Sequence, residues 1–327
     1  MAQYFTERLQ KVFHMIFKSY NQEMAQEGLR QLELIVNNQH SPEQPNHRAL
    51  RNDMTTSLEN EIDTKEDALK IANDPEAREI ADAYALLARV YAGPRFTWEE
   101  SNFPEDNMRT YQCLHDSIRR CSPIGTLQAL RINGTITPTV EKDMLISFDD
   151  AFRIVYDYAE QGDAFCQYII GNVFFWRDDD RIRLARDMIT PPRLSLAKRI
   201  QQSLQKGSIQ ERLIALQGTI SNETLQENAT KLAKEWFNRA LDNGLAMFQG
   251  NLRNIYIDEG DFNNARRVAL TAAELGNPTM MLYTGLDCHE HGKFEDAFTW
   301  FTKGASLGQA ESTAELADYY YHFYDTK

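Results

Sequence analysis

The side chains best suited to chemistry in this chain form two short clusters that could in principle bind a metal ion. Residues 289–291 are His-Glu-His, and Asp178–Asp180 supplies three consecutive carboxylates. Helical zinc sites use histidines four residues apart, whereas His289 and His291 are two apart and fall on different faces of a helix. The aspartates are followed by arginines, and no further residues with oxygen ligands occur at the spacing of a calcium-binding loop. We therefore predict no metal site and no cofactor, and a solvated loop with internal ion pairs at the aspartates.

The sequence lacks several of the short motifs that mark common catalytic sites. HExxH, the phosphate-binding P-loop and the glycine-rich dinucleotide pattern are absent from it. Its four cysteines form no CxxC pair. We predict that the protein is not an enzyme and that its thiols are reduced and mostly buried.

The charge of the chain limits its partners. The formal net charge is −13 and the pI is about 5.1. An acidic surface repels nucleic-acid phosphates and anionic lipids, so neither is expected to bind. If charge steers association, it favours a basic protein or peptide, although acidity also serves solubility alone. The N-terminus has no signal-peptide core and no stretch reaches the ~20 apolar residues of a membrane span, so a cytoplasmic location is expected.

An internal repeat indicates which elements position these side chains. Ala233, Ala265 and Ala297 are spaced by 32 residues, and each precedes a glycine by 11 positions. A fourth unit opens at Ala151, and weaker units fit from Ala68, Thr110 and Leu196. Periods of this length are typical of helix pairs that bury their apolar faces only by stacking. The predicted fold is therefore all-α, a right-handed α-solenoid of stacked antiparallel helix pairs.

The pattern divides the chain into four parts. Residues 1–37 are predicted to form an N-terminal helical cap, with helices at 3–20 and 22–37. Residues 38–64 contain prolines and polar clusters, which predict a loop or linker. Degenerate repeats with loop insertions occupy 65–232, and regular 32-residue repeats occupy 233–327.

Residues 297–310, AFTWFTKGASLGQA, resemble the AAxWYxKAAxxGxA run of the Sel-one-like repeat (SLR) family, which is related to the tetratricopeptide repeats. Residues 234–244 and 269–276 are similar to the same run. The insertion that the family carries between paired helices is missing here, which accounts for the shorter period. The resemblance is specific over 233–327, fair over 149–176 and weak before that.

The resemblance implies an adaptor or scaffold that binds a protein or peptide in a concave groove lined by the second helix of each pair. Carrying the family's groove positions onto this chain selects a set of candidate partner-binding residues. The alternative is that the aromatic members of this set belong to the core. These are Phe165, Tyr168, Asn172, Phe175, Trp176, Asn254, Asp258, His289, Asp318 and Tyr321.

Further alternatives stay open at this stage. The family also permits an immunity or antitoxin-type protein that neutralises a toxin by direct binding, and the acidic charge would suit a basic toxin. The aromatic run at 319–324 either folds back as a cap or forms an exposed patch that pairs two chains into a homodimer. Trp98 either anchors a partner or covers the edge of the solenoid.

Overall fold

The computed structural model describes residues 3–37, 64–132, 141–192, 195–209, 212, 220–247 and 249–321, and all regular structure within these ranges is helical. Three short 3-10 turns span Pro94–Phe96, Glu99–Ser101 and Asp178–Asp180. The α-helices are α1 (Glu7–Phe17), α2 (Gln22–Asn37), α3 (Lys65–Asn73), α4 (Glu79–Tyr91), α5 (Asn107–Arg119), α6 (Pro123–Ile132), α7 (Phe148–Glu160), α8 (Ala164–Phe175), α9 (Arg183–Ile189), α10 (Leu196–Leu204), α11 (Asn222–Asp242), α12 (Gly250–Asp258), α13 (Phe262–Glu274), α14 (Pro278–Glu290), α15 (Phe294–Ser306) and α16 (Ala310–Tyr319).

Many consecutive helices pack against one another as antiparallel pairs that stack on their neighbours. Helix α5 contacts α4 and α6, α7 contacts α6 and α8, and α8 packs along α11. From α12 to α16 each helix packs on the one before it. The predicted α-solenoid of stacked helix pairs is confirmed. Among the described helices, none is both long and apolar enough to cross a lipid bilayer.

The turn inside each regular unit is built by a glycine and the residue that follows it. Gly276 has φ 101°, and the amide of Asn277 donates to the carbonyl of Ala272 at 3.0 Å, which closes the end of α13. The side chain of Asn277 then accepts from the amide of Met280 and caps α14. The equivalent glycines of the other units, Gly162, Gly244 and Gly308, also have positive φ.

The N-terminal segment lies against several separate repeats. The Tyr4 amide donates to Asp163 at 3.0 Å, and the Trp98 indole donates to the carbonyl of Ile16 at 2.8 Å. Tyr20, which follows α1, lies against Gly276. Helix α1 is shorter than predicted because Thr6 caps it, its hydroxyl accepting from the amide of Leu9. The segment therefore joins parts of the solenoid that are far apart in sequence.

A buried ion pair fixes the start of α4 to this segment. Arg78 is fully buried, and its Nε donates to Asp82 at 3.0 Å while Nη2 donates to the carbonyl of Tyr4 at 2.7 Å. Asp82 also accepts from the Ser122 hydroxyl at 2.7 Å. Burial raises the pKa of Asp82, although the neighbouring guanidinium opposes that rise. Charges this deeply buried are tolerated only because each has hydrogen-bonding partners.

Candidate functional site

A cavity of about 450 Å3 opens between α4, α6, α8 and the first turn of α12. Its volume lies at the lower end of the range typical of ligand pockets, about 300–1,000 Å3. Both polar and apolar side chains line it: Arg89, Phe96, Leu127, Gln128, Arg131, Tyr168, Ile169, Asn172, Val173, Trp176, Asp178, Gly250 and Asn251.

The register of the repeat explains why these residues meet. Counted from Ala68, Thr110 and Ala151, position 21 is Arg89, Arg131 and Asn172. All three line the cavity, although they are about 41 residues apart along the chain. Position 17 of the units from Thr110, Ala151 and Ala233 lines it too, with Leu127, Tyr168 and Gly250. The cavity is therefore part of the groove formed by the second helices of four units, those from Ala68, Thr110, Ala151 and Ala233.

Arg89 is buried at the wall of the cavity and contacts several side chains. The side chain is 3% exposed, and its Nη2 lies 3.5 Å from the Tyr168 hydroxyl. In the amide orientation that satisfies both of its groups, Gln128 accepts from Nη1 of Arg89 at 3.2 Å and donates to the carbonyl of Ala85 at 3.1 Å. The rings of Phe165 and Tyr168 each lie 5.5 Å from the guanidinium carbon. Such contacts stabilise a buried arginine and fix its direction.

Arg131 forms the second cationic group of the wall. Its Nη2 contacts Asp178, and its guanidinium carbon lies 5.7 Å from the ring of Trp176. Burial raises the pKa of Asp178 to about 6, even though the contact with Arg131 opposes the rise. Trp176 is 51% exposed, so its ring, beside Arg131, remains open to solvent.

The predicted partner-binding residues of α8, together with Trp176 at its C-cap, fall into three groups. Tyr168, Asn172 and Trp176 line the cavity. Phe175 lies behind it, with its ring 4.9 Å from Trp176. Phe165 is 3% exposed and packs against the aromatic rings of α1. Burial of this kind favours the alternative that Phe165 belongs to the core.

The other predicted residues do not line this cavity. Asn254 and Asp258 are exposed on α12, and Asp318 and Tyr321 are exposed at the C-terminal end of the described chain. His289 is exposed too, and its Nδ1 lies 2.7 Å from the Tyr319 hydroxyl. These positions stay predictions for a wider contact surface.

Sequence reasoning missed the two arginines of the cavity. Arg89 and Arg131 belong to the units from Ala68 and Thr110, whose repeat pattern is weak. Applying position 21, which selects Asn172 and Asn254, to those two units would have found both. Gln128 lies one residue after position 17, and no signal in the repeat points to it.

The clusters considered for metal binding have other roles. Throughout the described part of the chain, no group of three or more histidine, cysteine or acidic residues is arranged to hold a metal ion. Nδ1 of His291 lies 2.7 Å from the carbonyl oxygen of Asp287. Nδ1 of His289 lies beside the Tyr319 hydroxyl, so the two histidines have different partners.

The expected ion pairs at the three aspartates are present, but the expectation of a solvated loop was wrong for two of them. Asp178 and Asp179 are buried because Arg131, Arg177 and Arg186 surround them. Arg131 comes from α6, and no local pattern predicted its approach.

The structure also shows where Trp98 and the tyrosines at 319–321 lie. Trp98 is 5% exposed and packs on the end of α1, so it covers the edge of the solenoid. Tyr319 is buried, whereas the neighbouring Tyr320 and Tyr321 are 51% and 68% exposed. Residues 322–327 lie outside the described ranges.

The helix pairs and their groove define the class of protein, a helical-repeat solenoid. The chain is similar to a solved Sel1 repeat protein from Oxalobacter formigenes, with 14% identity over 81% of this chain and 89% of that chain. The TM-score of this comparison is 0.36. No family model matches the chain, and no curated protein sequence does.

Proposed function

We propose that this protein is a non-enzymatic interaction module, an adaptor or scaffold that binds a segment of another protein in its helical groove. One observation carries the proposal: position 17 in three units and position 21 in three units converge on a single cavity. A repeat array that directs the same positions of neighbouring units toward one concavity provides a continuous surface for an extended ligand.

The composition of the cavity supports binding over chemistry. Among its described lining residues there is no histidine, cysteine, serine or lysine, and the one carboxyl group, Asp178, is paired with Arg131. Its half-exposed tryptophan and two arginines are instead the residue types that contribute most to protein interfaces. Side chains already held by neighbours, as Arg89 is, lose little entropy when a partner binds.

The test is capture of a partner from the native lysate by three immobilised forms of the chain. These are the wild type, Trp176→Ala and Phe262→Ala. Phe262 is 59% exposed on α13 and does not line the cavity, so its substitution removes a comparable exposed aromatic ring elsewhere. We expect one stoichiometric protein to bind the wild type and Phe262→Ala, and to bind Trp176→Ala at least about tenfold more weakly.

Two results would count against the proposal. Equal capture by wild type and Trp176→Ala would remove the cavity from the interface, provided that both proteins show the same thermal midpoint. Capture lost equally in both variants would indicate nonspecific adsorption to exposed aromatic rings. The identity of a specific partner separates an adaptor from a toxin neutraliser, because a neutralised toxin regains its toxicity when released.

A further inference from the structure

We infer that the protein associates with itself, through contact of helix α10 of one copy with a surface at the C-terminal end of another copy. This C-terminal surface consists of His289, Phe294, Phe298, Tyr319 and Tyr320. Neither α10 nor the C-terminal surface lines the cavity, so self-association is separate from the proposed binding of a partner segment.

Helix α10 has an apolar side that faces solvent. Leu196, Ile200 and Leu204 follow one another at intervals of four residues and so form a row along the helix. They are 60%, 43% and 74% exposed, and Ser203 is the one buried residue of the helix. Within the described chain, no other helix packs extensively on α10. A helix that offers an aliphatic row to solvent is suited to docking on an apolar surface of another molecule.

The charge of α10 is opposite to that of the chain as a whole. Residues 195–209 contain Lys198, Arg199 and Lys206 and no acidic residue, whereas the whole chain has a formal net charge of −13. Both lysines are exposed. Electrostatic attraction therefore directs α10 toward an acidic surface, and other parts of this chain provide one.

The C-terminal surface is a continuous group of aromatic rings. The ring of His289 lies 5.4 Å from the rings of both Phe294 and Tyr319. Phe298 lies 6.3 Å from Tyr319 and 5.6 Å from Tyr320. Phe294 is 43% exposed and Tyr320 is 51% exposed, so the group can receive aliphatic side chains from outside.

Acidic residues border these rings. Glu290, Glu295, Asp296 and Asp318 are exposed next to them in the sequence, and Lys293 is the one lysine or arginine between positions 287 and 296. Two C-terminal surfaces facing each other would bring like charges together, which disfavours a symmetric homodimer through this end. The basic, aliphatic α10 complements the surface in both charge and polarity.

The contact must form between molecules. The aliphatic row of α10 and the rings of Phe294 and Tyr320 are all exposed in the same chain, so they do not cover one another within it. Because the two surfaces are different, each copy can bind one neighbour through α10 and another through the C-terminal surface. Such a heterologous contact produces chains or closed rings.

The experiment is sedimentation velocity of the purified protein over a wide range of concentration, with charges reversed on either surface. Lys198→Glu/Lys206→Glu changes α10. Glu290→Lys/Asp318→Lys changes the C-terminal surface, and both positions lie in the last turn of a helix, where a lysine is favourable. We expect wild type to associate, and each double variant to raise the dissociation constant at least about tenfold. An equimolar mixture of the two variants should restore association, because each supplies the surface that the other lacks.

The control is Lys142→Glu/Lys231→Glu, which reverses two exposed lysines that belong to neither surface. It should associate as wild type does. A wild type that stays monomeric at every concentration overturns the inference, and so does association that both double variants retain or that the mixture fails to restore. A monomeric wild type whose binding to phosphatidylserine vesicles depends on Lys198 would assign α10 to a lipid surface instead. Capture of a lysate partner that depends on Trp176 would support the interaction function in each of these cases.

Discussion

The ring of Phe13 in α1 lies 4.8 Å from the ring of Phe165 in α8. Phe5, just before α1, is stacked on the same side chain at 5.7 Å. Phe165 stands at position 14 of the unit from Ala151, three residues before the cavity position occupied by Tyr168. The N-terminal segment therefore covers part of the second helix of this unit, and the cavity begins where that cover ends.

Replacing Phe165 with alanine should reduce the free energy of unfolding by more than it reduces the free energy of partner binding. The side chain is 3% exposed and packs among aromatic rings, so its removal leaves a cavity that the surrounding helices fill only partly. The expected loss is about 3–5 kcal/mol of unfolding free energy, measured by urea denaturation. Phe262→Ala, at an exposed position, should change it by no more than about 0.5 kcal/mol. A Phe165→Ala protein of wild-type stability would contradict the buried contact with α1.

Substitution of the turn glycines should separate backbone strain from steric contact. Gly244 and Gly276 both have positive φ, but a Cβ at Gly244 meets no atom within 4 Å, whereas one at Gly276 lies 3.2 Å from Cδ2 of Tyr20. Gly244→Ala should cost about 1–2 kcal/mol from the strained backbone alone. Gly276→Ala should cost more, because the N-terminal segment must also shift. If Gly244→Ala and Gly276→Ala lose the same unfolding free energy in thermal and urea denaturation, the Tyr20 side chain moves aside without an energetic cost.

The contribution of Asp178 to stability should depend on pH between about 4 and 6. Its pKa is about 6 in the folded protein, raised by burial from an ordinary value of 3.8. The folded state therefore binds the proton more tightly, and the stability that this group supplies at low pH is lost as pH rises through that window. Asp178→Asn lacks this loss, so its unfolding free energy relative to wild type should increase from pH 4 to pH 7.

Asp179→Asn is the control for that pH dependence. Burial of Asp179 favours its neutral form, but hydrogen bonds from Arg177 and Arg186 outweigh this and lower its pKa. Its ionised form therefore stabilises the fold, and that stability disappears as pH falls through its lowered pKa. Relative to wild type, Asp179→Asn should be less stable at pH 7 and recover toward acid pH. The same trend in both variants would contradict the different environments of the two aspartates.

The four thiols should differ in reactivity. Burial raises the pKa of Cys113 and of Cys121 to about 12, and Cys166 is fully buried. Because the thiolate is the reactive form, these three should react with a disulfide reagent at pH 8 only after unfolding. Cys288 is partly exposed and should react first. Cys288→Ser should remove the fast phase, and a remaining fast phase would mean that a thiol of the core is accessible.

Much of the fold followed from short-range patterns. The spacing of alanine and glycine predicted the helix pairs, and the positive φ of Gly276 depends only on the helix that ends there and the Asn277 cap that follows. Such features involve residues within a few positions of one another, so a single sequence records them. The same register selects Tyr168, Asn172 and Trp176, and extended to earlier units it selects Arg89 and Arg131.

Long-range packing accounts for what local patterns could not predict. Phe165 and Tyr168 are both aromatic residues of one helix, yet only Tyr168 lines the cavity, because a segment about 150 residues earlier covers Phe165. Asp178 is buried because Arg131 approaches from another unit. Repeat periodicity specifies which face of each helix turns inward, since that depends on a helical period of ~3.6 residues. Which part of that face remains open depends on contacts between distant elements, and these arise only when the helices pack together.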